Sequence, residues 1–421
     1  MSFLEVVAVP QARADGSAPE YQEELRARQG LAQVLEDGPL KRELLGTPPA
    51  PPAPPAPPPR YGARLTFDGP AAEYFRIWIV NLLLTLLSLG VYSAWAKVRK
   101  ARWFAQHTAL LGDRFDYHGQ PWRILAGRVL ALGLLGLWTF AFSLSLWLGM
   151  AVLGLMLVAG PALFAGAQRF KLANTSWRGL RFGFSAPRRQ VYAVCVPLLL
   201  VWTLGTVLSE AGAPQAWVLG TSVVLVLLIP WAHERLKRLQ HAHAAFGDQR
   251  FAFERAGTAF YYLYATGLVL AIAGGLLAGL VMALIFSTRA SGSPAQDSLR
   301  YVLTAAGTLL VMWIAVWPFF AARTQQIVWS RTRWGDQLGF AGHMQGWALW
   351  KLVLGQTSLT LLTAGLYWPF AAVAIARYRI QAIEVLGDRP LQELSAQAAP
   401  VLPGRAAGDA AAEFFGLDLG W

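Results

Sequence analysis

The sequence predicts an all-α polytopic membrane protein with about six transmembrane helices, two repeat-related short or re-entrant helices, and small cytoplasmic aromatic turn-strand motifs. Three observations carry that expectation. Of 421 residues, 55% are hydrophobic and only 14% are charged, and a soluble domain carries about 25% charged residues. Apolar stretches near the roughly 20-residue length that crosses a bilayer recur along the chain. The sparse charge is also lopsided, 36 Lys and Arg against 24 Asp and Glu, for a net charge of +12. Soluble globular, disordered and disulfide-rich secreted classes are excluded on these grounds, and the single cysteine, Cys195, excludes an intramolecular disulfide or a multi-cysteine metal site.

The elements follow in order. Residues 1–60 hold eight acidic and six basic residues and end in a proline-rich run from Thr47 to Pro59. They read as a disordered tail with a polyproline spacer and a short helix around Tyr21 to Leu35. No basic stretch followed by an apolar core opens the chain, so a cleavable signal peptide is not expected. Residues 61–390 form the membrane domain, and 391–421 a second, Ala-rich tail. Within the domain, Ile124 to Ala167, Val191 to Trp231 and Phe260 to Ala321 are each long enough for a pair of spans. Single apolar segments stand at either end, Tyr74 to Ala96 and Trp347 to Ala371.

Those end segments are copies of each other. Asn81–Arg114 aligns without gaps on Gln356–Arg389 with 15 identities in 34 positions, which makes it a true internal repeat. Its second half recurs: a basic helical turn, a Gly turn, then alternating aromatics. The copies start at Arg102, Arg169, Arg238, Arg323 and Arg377, with turns at Gly112, Gly179, Gly247, Gly335 and Gly387. Pairs of spans separate the first four copies, so these lie on one side. The basic-poor loops opposite put that side in the cytoplasm by the positive-inside rule. The fifth copy joins them only if the end segments bend back at Gly90 and Gly365, the two hinge candidates. A helix from Tyr74 to Ser88 is about 22 Å long, short of a roughly 30 Å core. A plain tilted span is the alternative.

Two sets of residues are candidates for function. Lys97, Arg99, Lys100, Arg102, Arg169, Lys171, Arg178, Arg181 and Arg238 leave apolar runs beside tryptophans, where cationic side chains meet anionic headgroups. Topological anchoring alone also explains them. Asn81, Thr85 and Ser88 share one helix face, as do Gln356, Thr360 and Thr363. They read either as helix–helix glue or as a polar site between two broken helices, as in transporters built from repeats.

Enzyme signatures are missing: there is no P-loop, dinucleotide fingerprint, nucleophile elbow or paired-histidine zinc motif. No catalysis, cofactor, metal or nucleic-acid partner is expected, and membrane lipids are the expected partners. The stretch from Asn81 to Arg99, the Gly112-Asp-Arg-Phe-Asp-Tyr-His-Gly119 run and Asn174 to Phe182 resemble the YjgN family. That resemblance covers roughly residues 61 to 390 and implies a multi-pass location in the bacterial inner membrane. It carries no reaction or ligand. Ser88-Leu-Gly90 and the long proline-rich N-terminus depart from the family's usual pattern. The sequence therefore favours a non-catalytic scaffold or anionic-lipid-organising protein, with a small-solute transporter or channel as the alternative.

Overall fold

In a computed structural model describing residues 19–34, 61–287, 294–335 and 338–387, apolar stretches fold as helical hairpins and the Gly motifs between them as β-hairpins. The chain divides into two units, Met1–Pro59 and Arg60–Trp421. The first contains α1 (Pro19–Val34), close to the helix expected there. The proline-rich spacer and the tail expected at 391–421 lie outside the described residues.

The second unit holds five helical hairpins. They are α2 (Ala71–Leu87) with α3 (Ser93–Gln106), α4 (Pro121–Leu144) with α5 (Leu146–Ala173), and α6 (Arg188–Glu210) with α7 (Gln215–Ala242). Then come α8 (Gly257–Ser287) with α9 (Pro294–Ser330), and α10 (Gly346–Leu362) with α11 (Trp368–Gln381). The six helices α4 to α9 are long and apolar enough to cross a membrane, as the sequence predicts. The outer two hairpins are shorter, with helices of 17 and 14 residues each.

Eleven short strands alternate with these hairpins. They are β1 (Tyr61–Arg64), β2 (Thr66–Phe67), β3 (Thr108–Leu110), β4 (Asp113–Tyr117), β5 (Thr175–Trp177), β6 (Leu180–Phe184), β7 (Ala244–Phe246), β8 (Gln249–Phe253), β9 (Thr332–Trp334), β10 (Leu338–Gly342) and β11 (Ile383–Gly387). All join one sheet in the order β1-β11-β10-β9-β8-β7-β6-β5-β4-β3-β2. Only Leu65 separates β1 from β2, so the two ends of that order are one stretch of chain and the sheet closes into a ring.

The closing stretch behaves as its counterparts do. Its first half pairs with β11, Tyr61 opposite Gly387 and Arg64 opposite Glu384, and its second half with β3. Likewise β4 starts against β3 and ends against β5. Residues 61–67 are thus the second strand of a fifth β-hairpin whose first strand is β11. A backbone bond repeats five times with it: Asp68 N–H to His107 O (3.1 Å), His118 to Asn174 (2.7 Å), Ser185 to His243 (3.0 Å), Glu254 to Arg331 (2.9 Å) and His343 to Ala382 (2.7 Å). The helices close as well, α11 packing on α2. Among the described strands, closure leaves no sheet edge to pair with another chain.

The sequence reading separated the motif strands and assigned no strand to 61–67. Their union depends on pairing between the two ends of the domain, for which a local pattern holds no signal. All five copies do stand on one sheet, so both end hairpins return to the face they left.

Candidate functional site

The two hinge candidates have one geometry. Gly90 and Gly365 both sit at φ +92°, preceded by Leu89 at +50° and Ala364 at +49°. Gly90 N–H donates to Thr85 O (2.8 Å) and Gly365 N–H to Thr360 O (2.7 Å). Two successive left-handed residues cannot continue a right-handed helix, so the chain turns back here.

The matched polar residues largely serve that turn. Thr85 Oγ1 donates to Asn81 O (2.6 Å) and Thr360 Oγ1 to Gln356 O (2.7 Å). Ser88 Oγ accepts from Tyr92 N–H (2.8 Å), and Thr363 Oγ1 from Tyr367 N–H (3.0 Å). Ser88 thus does what Thr363 does with the same hydroxyl. Asn81 and Gln356 differ from these: each has a buried side-chain oxygen with no partner in the structure.

The structure separates the basic candidates into two groups. At three of the repeat's five key positions a side chain ties one hairpin to the start of the next, and at a fourth Arg238 pairs with Glu234 instead. Arg102 Nε donates to Tyr117 O (3.3 Å) and Arg377 to Gly69 O (2.9 Å). In the fourth copy the strand register puts Gln326, not Arg323, at this position, and Gln326 donates to Met344 O (2.6 Å). Arg178 pairs with Asp113 at 2.5 Å and lies over the Trp177 ring, and Arg114 pairs with Asp68 at 2.5 Å. Arg169 has its Nε buried, and Lys97 and Lys171 are half-buried. Arg99, Lys100 and Arg181 form the second group, exposed on the surface. Arg377→Ala is therefore expected to lower stability by about 1 kcal/mol, the usual net value of one hydrogen bond. Lys100→Ala should leave the thermal midpoint in detergent unchanged, and equal midpoints for both variants would refute the tie.

Inside the ring the alternating aromatics meet across strands. Ring centroids lie 6.4 Å apart for Phe115 and Phe182, 5.5 Å for Trp177 and Phe246, and 5.6 Å for Phe246 and Trp334. Each of these pairs skips a strand, which only side chains turned inward on a closed sheet can do. Leu338 and Val385 complete the lining with Ala63, Leu65, Leu110 and Leu111.

Glu234 lies in the last turns of α7. It is 3% exposed, pairs with Arg238, and accepts from Ala256 N–H at 3.3 Å. The spacing Glu234 to Arg238, one helical turn, was the available signal. His233 meets the Tyr264 hydroxyl (3.1 Å) and His241 the Thr332 hydroxyl (3.2 Å). No group of three metal-ligating side chains occurs among the described residues.

Known proteins add the following. Residues 62–414 match the family model described as bacterial protein of unknown function (DUF898). Inner membrane protein YjgN of Salmonella typhimurium strain LT2 is 31% identical over 152 residues, 34% of this chain and 37% of that protein. Inner membrane protein YjgN of Escherichia coli O157:H7 is 30% identical over 149 residues, 34% and 36% of the two chains. The match thus spans little more than a third of these curated relatives. No solved structure matches.

Proposed function

Because the chain belongs to the DUF898 family, whose curated relatives are inner membrane proteins, we propose that it is a non-catalytic scaffold of the bacterial inner membrane that gathers anionic lipid headgroups around its β-ring. The observation that carries this reading is the gathering of all five basic-aromatic copies on one closed sheet at the ends of apolar helices. Arg99, Lys100 and Arg181 are exposed, and each cation near an anionic surface contributes on the order of 1 kcal/mol. The ring lining named above is aromatic and aliphatic, which suits a packed scaffold.

Both termini and the ring lie in the cytoplasm, and the short end hairpins are re-entrant. The tips of these hairpins support this: Leu87 is 81% exposed, Leu89 95% and Leu362 82%. Apolar tips of this kind belong in lipid, and amides of the turns are bonded locally, Gly90 to Thr85 O and Gly365 to Thr360 O. Alkaline phosphatase fused at Gly212 should be active and at Trp421 inactive; the reverse would overturn the orientation.

Mass spectrometry of gently purified protein tests the lipid reading. Phosphatidylglycerol or cardiolipin should co-purify and raise the melting temperature, while phosphatidylcholine does neither. Replacing Arg99, Lys100 and Arg181 together with Gln should remove most of that shift. These exposed residues are better probes than Arg102, which also ties hairpins together. A full anionic-lipid shift in the triple variant would reduce the motifs to topological anchors.

One observation favours a small-solute transporter as the second reading. The unpartnered buried oxygens of Asn81 and Gln356 stand at repeat-related positions. If they serve only packing, Asn81→Leu with Gln356→Leu keeps or raises stability, since removing an unsatisfied buried polar group relieves its desolvation penalty. A loss of solute uptake in proteoliposomes with stability intact would favour transport.

A further inference from the structure

Repetition makes the molecule its own control, because whatever one junction between hairpins holds can be compared with four others. At the junction of α7 with α8 a cleft of about 460 Å³ opens, and its walls carry Arg235, Arg238, Arg255, Arg331, Glu234 and Trp231. Counted back from the strand that follows each helix, the positions equivalent to Glu234 hold Val98, Ala165, Ala322 and Val373. Those equivalent to Arg331 hold His107, Asn174, His243 and Ala382, and those equivalent to Arg255 hold Gly69, Gly119, Ala186 and Met344. Three of the six named residues therefore break the repeat at one junction only, and two of these add positive charge.

The chemistry of the cleft is specific. Glu234 is committed to Arg238 and to the Ala256 amide, which holds the Arg238 side chain against the wall. Arg331 donates to Arg255 O at 2.6 Å, fixing the loop that carries Arg255. Arg235 lies over the Trp231 ring with 5.5 Å to its centroid. Four guanidinium groups against one carboxylate leave a formal excess of three positive charges. The first residues of α8, Gly257, Thr258 and Ala259, also line the cleft, and a helix start presents N–H groups without intrahelical partners. Planar guanidinium forks with helix-start amides match the oxygens of a phosphate group.

We propose that this cleft is a single binding site for a phosphate-bearing anion, distinct in kind from the other four junctions. The phosphate comes from an anionic lipid headgroup or from a free phosphate compound. The site deepens the lipid-organising reading and rests on it for the lipid source.

Calorimetric titration of the detergent-solubilised full chain tests it, with dihexanoyl phosphatidylglycerol, dihexanoyl phosphatidylcholine and inorganic pyrophosphate as probes. One equivalent of phosphatidylglycerol or of pyrophosphate should bind, and phosphatidylcholine should not. Tighter binding of the lipid identifies a headgroup site; tighter binding of pyrophosphate identifies a free-anion site. Arg235→Gln with Arg255→Gln should weaken the bound anion at least tenfold, whereas Arg323→Gln, at the position equivalent to Arg235 in the following copy, should change it less than twofold. Arg255→Gln alone leaves the backbone carbonyl that Arg331 uses, and should still weaken binding at least threefold. The proposal is overturned if neither anion binds at one equivalent, if phosphatidylcholine binds as well as phosphatidylglycerol, or if the folded variants keep full affinity. The number of anionic lipids that co-purify is counted separately. Loss of that count with the one-equivalent site intact removes the scaffold reading alone, and the converse removes the cleft alone.

Discussion

Truncating the chain to begin at Asp68 should destroy the folded monomer, whereas beginning at Arg60 should leave its melting temperature unchanged. The eight residues between, Arg60 to Phe67, include the stretch that closes the ring. Without it β11 and β3 become open edges, and exposed edges pair with other chains. Phe67 is also lost; it is 3% exposed and packs on the Trp103 and Phe104 rings at 6.0 and 5.7 Å. Removing a buried phenylalanine side chain alone costs about 3–5 kcal/mol. Size-exclusion chromatography and thermal unfolding in detergent distinguish the two truncations, and equal behaviour would mean that the closing strand contributes nothing. A circular permutant gives the positive test. Joining Arg389 to Tyr61 and opening the chain between Gly247 and Asp248 links the paired residues Gly387 and Tyr61 through two residues, the usual length of a β-hairpin loop. The permutant is expected to fold.

Replacing Gly90 and Gly365 together with leucine is expected to have the next largest effect. Both hold φ +92°, well away from the left-handed well near +57° that L-residues reach with least strain. Each substitution should cost about 1–3 kcal/mol. A Cβ at either site meets no atom within 4 Å, so the penalty is purely one of backbone conformation. Alanine should therefore produce most of it. A continuous helix would instead gain about 1 kcal/mol from losing a glycine, so an unchanged or raised thermal midpoint in the double variant would show that the chain does not need its turns.

The hinges were legible because a turn with positive φ demands a residue type, and the demand repeats at a fixed offset. The same logic marked Gly112, Gly179, Gly247 and Gly335, all of which have positive φ, but also Gly387, which instead ends β11 in extended pairing with Tyr61 and Leu338. The spans were legible because burial in lipid requires an unbroken apolar run. Arg102 and Arg377 were recognised as a repeated pair, but their acceptors, Tyr117 O and Gly69 O, are main-chain atoms that any residue supplies. No side-chain pattern announces such a partner. The burial of Glu234 is hidden for a related reason, since the amide that it accepts from belongs to the loop before the next hairpin.

The sequence alone determined what belongs to one segment or to a repeated one: membrane class, six spans, the two glycines at which the end segments could turn and the existence of five copies. Periodicity, composition and the conformational needs of glycine are local physics, and they survive without knowledge of the rest of the chain. The tertiary structure alone decided that the copies form one ring, that residues 61–67 complete it from the opposite end of the domain, and that one junction differs from the other four. Those facts rest on backbone hydrogen bonds and on side chains meeting across hairpins. Backbone groups are alike at every residue, so only the closed arrangement in space shows which of them pair.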